Sequence, residues 1–261
     1  MVLVALPIFQ ADEILKIYFV YNEMIIYYYY FRSDHWNRNS DLKLMTPLYI
    51  LILTSFTFGI LYIVIYQFID TANEIIVDGI GWHFVGVAIF NVIWLVLVVN
   101  EELVLAWITI LIVAAQLSYI YYNLKFKYPP LSRFDATFIH LPFSLYHAWI
   151  MIILTISTFV AFIPDKEKGR SSGVLEEILG VLALCFLETA AIGYIEKSKG
   201  DLASASVIAI TLYGISFQQD DDAIIHWVAL VFAVVSSVHI LKTYLVKRLR
   251  ERQEEHTPLL V

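Results

Sequence analysis

Residues Thr137–Ile163 read TFIHLPFSLYHAWIMIILTISTFVAFI, a stretch without a single Asp, Glu, Lys or Arg. About 20 consecutive apolar residues suffice for a helix to cross the hydrocarbon core of a bilayer. The stretch is therefore long enough to span a membrane as one helix. It also contains a proline, two histidines and a tyrosine, which a helix facing only lipid does not need.

Similar apolar blocks recur along the 261-residue chain, which is 60% hydrophobic and 16% charged. Soluble domains are typically about half apolar and about a quarter charged. The predicted fold class is all-α, a polytopic transmembrane helix bundle of about seven spans in a lipid bilayer. The predicted spans are Leu48–Ile69, Ile80–Val99, Leu103–Asn123, Thr137–Ile163, Val174–Ile195, Leu202–Phe217 and Ile224–Val246.

The two ends of the chain differ from this transmembrane domain, which covers residues 46–246. Residues 1–45 are predicted to be an interfacial or non-spanning segment. Their apolar block Ile17–Phe31 carries Glu23 and four consecutive tyrosines, which favour the headgroup region, although a span there stays an alternative. Residues 247–261 begin with KRLRER and are predicted to be a cytosolic tail, because basic residues accumulate on the cytoplasmic side.

The tail ends EEHTPLLV, in which three residues separate Glu255 from the pair Leu259 and Leu260. This spacing matches the acidic dileucine pattern that clathrin adaptors read on cytosolic tails. Two leucines can enter an apolar pocket while the acid meets basic residues of the partner. The motif predicts an endosomal, lysosomal or vacuolar membrane, and a disordered tail without this function is the alternative.

Polar side chains inside the spans are candidates for function, because they are costly in lipid. On a helix His140, Ser144 and His147 share one face, while Pro142, Tyr146 and Trp149 lie on another. Pro142 is expected close to the start of its helix, where a missing N–H is tolerated. His147 is expected either to contact a ligand or to hydrogen-bond a neighbouring helix.

Glu188 lies in FLETAAIGY, near the middle of the predicted fifth span. We expect its carboxyl group to be protonated or paired, since burial disfavours a charge. A hydrogen bond between helices and a proton-linked or ligand-contacting role are both open.

Motifs of several enzyme classes are absent from the sequence. It contains no HExxH, GxSxG or GxxxxGK[ST] pattern, and its seven histidines lack the close spacing of membrane di-iron enzymes. Lys242 lies too near the end of the last span to suit a retinal protein. We therefore predict no enzyme, no cofactor and no metal. No basic surface interleaved with aromatic residues suggests nucleic acid.

Three segments resemble the TspO/MBR-related family, the tryptophan-rich sensory proteins. Thr46–Phe68, TPLYILILTSFTFGILYIVIYQF, resembles the first span of that family. FNVIW at Phe90–Trp94 is similar to its N-x-x-W motif in the second span. LPFSLYHAWIMI at Leu141–Ile152 resembles its fourth-span motif of a proline followed by aromatic residues. Together the resemblance covers Thr46–Ile163.

The resemblance implies a TspO-like core, in which family members bind porphyrins and sterols in a pocket among the helices. The chain departs from the family in having seven predicted spans instead of five and in lacking its tryptophan-rich first loop. The residues that match the pocket positions are Asn91, Trp94, Pro142, Phe143, Tyr146 and Trp149.

His147 and Glu188 are added to this ligand-binding set as polar groups for orientation or proton coupling. The predicted function is the binding of a small hydrophobic ligand, porphyrin-like or sterol-like, between helices. A proton-coupled membrane transporter, with Glu188 and the histidines as a relay, and a seven-span receptor are the alternatives.

Overall fold

The computed structural model describes residues 74–162, 174–218 and 223–256. These residues form helices and no strand. They belong to two compact units, which divide the chain between Asp165 and Lys166. The predicted first span, Leu48–Ile69, and the block Ile17–Phe31 lie outside the described residues.

The described part of the first unit contains three long helices, α1 (Gly81–Val99), α2 (Leu103–Tyr122) and α3 (Leu141–Phe162). A tight turn joins α1 to α2, and within it Glu101 has a positive φ of 65°. Helix α2 packs against both α1 and α3. Its fully buried side chains, such as Ile110, Val113 and Leu117, form the centre of the apolar core.

Each of the three helices continues into a π-helical segment. These segments are Glu74–Ile80 before α1, Asn123–Lys127 after α2 and Ala136–His140 before α3. A single helical turn, Arg133–Asp135, precedes the last of them. Since α1 and α2 are joined by a tight turn at one end, the three π-helical segments lie at the other end of this unit.

Pro142 is the second residue of α3, so it lies close to the start of that α-helix as expected, although the helical path itself begins earlier. The helical path begins at Arg133, where Ser132 and Asp135 form a reciprocal capping box. Proline has no N–H and crowds the preceding turn. The backbone widens before it, so that the Leu141 N–H donates to the carbonyl of Ala136, five residues back.

In the second unit, residues 174–218 and 223–256 also form three helices, α4 (Val174–Glu196), α5 (Leu202–Gln218) and α6 (Ala223–His256). All three pack against one another. The turn between α4 and α5 places Lys199 and Gly200 at positive φ, 55° and 73°. Asp201 then caps α5 by accepting a hydrogen bond from the Ser204 N–H at 3.3 Å.

Five helices of the described part are long and apolar enough to cross a membrane. They are Asp78–Val99, Leu103–Lys127, Arg133–Phe162, Val174–Glu196 and Ala223–Arg250. The predicted sixth span is helical but shorter, and its apolar part covers Leu202–Phe217. All six labelled helices keep large apolar side chains exposed, as lipid contact requires. Five of the seven predicted spans thus correspond to helices that are long enough to cross a membrane. Of the other two, one is short and the other lies outside the described residues.

Helix α6 extends ten residues beyond the predicted span end at Val246 and reaches His256. The first part of the predicted tail is therefore helical rather than irregular. Lys, Arg, Glu and Gln dominate this extension, and all four are good helix formers. The prediction that the tail is cytosolic stays a prediction.

Candidate functional site

Asn91 and Tyr146 join α1 to α3 inside the first unit. The Asn91 Nδ2 group donates a hydrogen bond to the Tyr146 hydroxyl oxygen, and both side chains are buried. Trp94, one turn further along α1, is 4% exposed and belongs to the same core cluster as Tyr146. Two aromatic rings and an amide from different helices are thus held together away from water.

His147 contacts α2 through two side chains. Its imidazole stacks on the Tyr121 ring, with ring centroids 4.5 Å apart and planes inclined by 7°. Its Nε2 atom lies 2.9 Å from the Ser118 hydroxyl oxygen. That hydroxyl directs its single proton to the carbonyl of Ala114, at 2.7 Å. Because the Ser118 oxygen is then an acceptor, this arrangement assigns the donor role to the His147 Nε2–H.

The other α3 residues of the predicted site are buried to different degrees. Phe143 is 1% exposed and meets the edge of Phe84 on α1, with centroids 5.9 Å apart. Pro142 is buried, whereas Trp149 is only half-buried. His140 lies in the π-helical segment before α3, so the spacing of a regular α-helix does not relate it to His147.

Glu188 lies on α4 in the second unit, where it is 6% exposed. Its Oε2 atom accepts a hydrogen bond of 2.5 Å from the Ser236 hydroxyl on α6. His239, one turn beyond Ser236, interacts electrostatically with the carboxyl group. Its Nε2 atom also lies 3.8 Å from Oε1 of Glu196. The carboxyl group thus takes part in a hydrogen bond between helices.

The structure therefore divides the predicted ligand-binding residues between the two units. Seven of them lie in the first unit: Asn91, Trp94, Pro142, Phe143, Tyr146, His147 and Trp149. Glu188 lies in the second unit. Of the sorting motif, Glu255 belongs to the helical backbone of α6, while Leu259 and Leu260 lie outside the described residues.

Sequence reasoning missed three partners of these residues, namely Ser118, Tyr121 and Ser236. A signal for them existed, since a hydroxyl group inside an apolar helix often hydrogen-bonds a neighbouring helix. The sequence could not show which helix each one meets. Across the described ranges, no group of three His, Cys, Asp or Glu side chains is placed to hold a metal ion.

A family model described as TSPO-like protein matches residues 18–242, which is most of the chain and extends over most of each unit. No curated protein and no solved structure matches the chain significantly.

Proposed function

Because the chain belongs to the TSPO-like protein family and is an integral multi-pass membrane protein, we propose that it binds a small hydrophobic ligand between the helices of its first unit. The ligand class is porphyrin-like or sterol-like, flat and largely apolar. The function is binding rather than catalysis. The observation that carries the proposal is the buried group of Asn91, Trp94, Tyr146 and His147, which two helices, α1 and α3, supply.

This composition fits such a ligand chemically. Sites for small molecules are lined mostly by apolar and aromatic side chains, with a few polar groups that fix orientation. Trp94, Tyr146 and Trp149 offer aromatic surface, whereas Asn91 and His147 offer hydrogen bonds. Pro142 and Phe143 shape the wall on α3.

Trp149 is the best residue for a test. Trp94 and Tyr146 are 4% and 5% exposed and belong to the packed core, so their substitution disturbs the fold as well as a ligand. Trp149 is half-buried on the same helix as Tyr146. Its side chain is therefore partly exposed, and its substitution disturbs the core less than that of Trp94 or Tyr146.

The experiment titrates the purified protein in lipid nanodiscs with protoporphyrin and follows tryptophan fluorescence. We expect saturable quenching, absent from empty nanodiscs mixed with free tryptophan. Trp149→Ala should raise Kd roughly tenfold, the scale of one lost aromatic stacking contact. The matched control is Trp82→Ala on α1, whose ring is 79% exposed, and its Kd should stay unchanged.

Two results would count against the proposal. One is the absence of saturable binding to every member of a panel of porphyrins, sterols and retinoids. The other is an equal loss of affinity in Trp149→Ala and Trp82→Ala, which would indicate partition into the lipid or a general loss of structure.

We further propose that the dileucine motif directs the protein to an endosomal, lysosomal or vacuolar membrane. The support is the sequence pattern of Glu255, Leu259 and Leu260, which requires a cytosolic tail and a clathrin adaptor as partner. A tagged protein carrying Leu259→Ala and Leu260→Ala should move to the cell surface. Thr257→Ala, within the spacer, should not move it. An unchanged location of the double variant would remove this proposal.

A further inference from the structure

The Glu188 side chain is buried, and its two carboxyl oxygens differ in their hydrogen bonding. Oε2 accepts the hydrogen bond of Ser236, but Oε1 is buried and has no hydrogen-bond partner among the described residues. A carboxylate oxygen without a donor is costly inside a protein and more so at membrane depth. A proton on Oε1 removes that cost, because the group then carries no charge.

Two further titratable groups, Glu196 on α4 and His239 on α6, lie between this carboxyl group and the exposed end of α4. The side chains of Glu196 and His239 are 58% and 23% exposed, and Glu188 is 6% exposed. His239 contacts Glu196 at 3.8 Å and interacts electrostatically with Glu188. It follows Ser236, the partner of Glu188, by three residues, so both project from similar sides of α6. The three titratable groups thus form a series from the exposed end of α4 to the buried carboxyl.

Several other titratable groups on or beside α5 and α6 have other contacts or are exposed. On α5, the Tyr213 hydroxyl lies 3.3 Å from Ser237, and Asp201 interacts electrostatically with Tyr194. On α6, Lys242 is exposed, three residues beyond His239.

We propose that Glu188 is a proton-exchanging site of the second unit, and that its proton passes through Glu196 and His239. A proton taken up at the Glu196 carboxylate transfers to His239 Nε2 and forms an imidazolium. The imidazolium then gives one proton to Glu188. An N–H bond breaks, an O–H bond forms at Oε1, and the ring becomes neutral again. The site does not depend on ligand binding in the first unit, and a proton-coupled transporter would require such a site.

The experiment measures infrared difference spectra of the full-length protein in nanodiscs after a jump from alkaline to acidic buffer. A protonated carboxyl group has a carbonyl stretch that shifts in D₂O. We expect this band to appear in the wild type and to be missing in Glu188→Gln. Should Glu188→Gln fold poorly, ¹³C-glutamate labelling of the wild type identifies the band as a glutamic acid.

Substitutions of His239 and Glu196 test the route by which the proton reaches Glu188. His239→Gln should slow the appearance of the band by on the order of a hundredfold, the scale at which a positioned proton-transfer group acts. Glu196→Gln should slow it less, because water reaches that end of α4. His226→Gln is the matched control, since His226 also lies on α6 but contacts the carbonyl of Ser216 at 2.9 Å.

Two results would overturn the proposal. The first is a wild-type band that does not respond to pH, which would mean that Glu188 never exchanges its proton. The second is an equal rate in His239→Gln and His226→Gln, which would mean that the proton takes another route. A porphyrin titration of the same samples tests the ligand-binding proposal separately. Failure of the proton-exchange proposal can therefore be distinguished from failure of the ligand-binding proposal.

Discussion

The hydrogen bond between Ser236 and Glu188 ties α6 to α4, and Ser236→Ala removes it. The two oxygens are 2.5 Å apart, and the residues are 1% and 6% exposed. Without Ser236, neither oxygen of the carboxyl group has a hydrogen-bond partner among the described residues. An unsatisfied buried group costs about 1–3 kcal/mol in soluble proteins. Hydrogen bonds between membrane helices average about 0.6 kcal/mol and reach about 1.7 kcal/mol. Because this bond is short and buried, we expect Ser236→Ala to cost about 1.5 kcal/mol, roughly tenfold in the unfolding equilibrium.

Ser237→Ala is the matched control, one residue along the same helix. The Ser237 hydroxyl donates to the carbonyl of Ala233 on its own helix at 2.8 Å, and it is half-buried. Its contact with Tyr213 on α5 is longer, at 3.3 Å. We therefore expect Ser237→Ala to cost no more than about 0.6 kcal/mol.

The assay is reversible unfolding in mixed micelles with increasing sodium dodecyl sulfate, followed by far-ultraviolet circular dichroism. A cycle with Glu188→Leu isolates the pair, since Ser236→Ala should cost little once the carboxyl group is gone. Equal shifts of the unfolding midpoint for Ser236→Ala and Ser237→Ala would refute the argument that this bond stabilises the second unit.

Three further predictions concern packing and capping, and each uses the same unfolding assay. Gly86→Ala places a Cβ atom 2.1 Å from the Gln116 Oε1 atom, so the flexible Gln116 side chain must move. We expect a loss of about 1 kcal/mol, which Gln116→Ala should largely relieve; additive losses would contradict this. Trp107→Phe removes the 3.0 Å hydrogen bond from Nε1 to Thr158 and should cost about 1 kcal/mol, whereas Trp82→Phe at an exposed position should cost nothing measurable. Asp201→Ala removes the cap of α5 and should cost about 1 kcal/mol, with Asp201→Asn close to wild type; equal losses in both would exclude capping as the cause.

For the described residues, the sequence was sufficient to predict the long helices but not their ends. Apolar blocks identify membrane spans because lipid requires a long run of apolar side chains. The ends are set by hydrogen bonding and helix propensity, which continue into polar residues. Helix α2 therefore runs on through Lys125 and Lys127 as a π-helical segment, and the helical path before α3 begins at Arg133. No apolar pattern marks those positions.

For the candidate site, the sequence indicated the polar residues but not their partners. His147 and Glu188 stood out because polar groups in apolar helices are rare. Which helix each one faces depends on rotation and packing, and these follow from the whole set of contacts. Ser118 and Ser236, whose hydroxyls lie against these groups, looked like ordinary small residues within spans.

The unbroken length of helix α6 couples the motions of its two ends. It runs from Ala223 to His256 without a break, which is 34 residues or about 51 Å. The hydrocarbon core is about 30 Å thick, so about 20 Å of this rod projects from it. The helix has no break between Ser236, which contacts Glu188, and Arg248, near its basic end. A rotation of α6 about its axis at the Glu188 contact must therefore rotate the basic residues near its C-terminal end by the same angle.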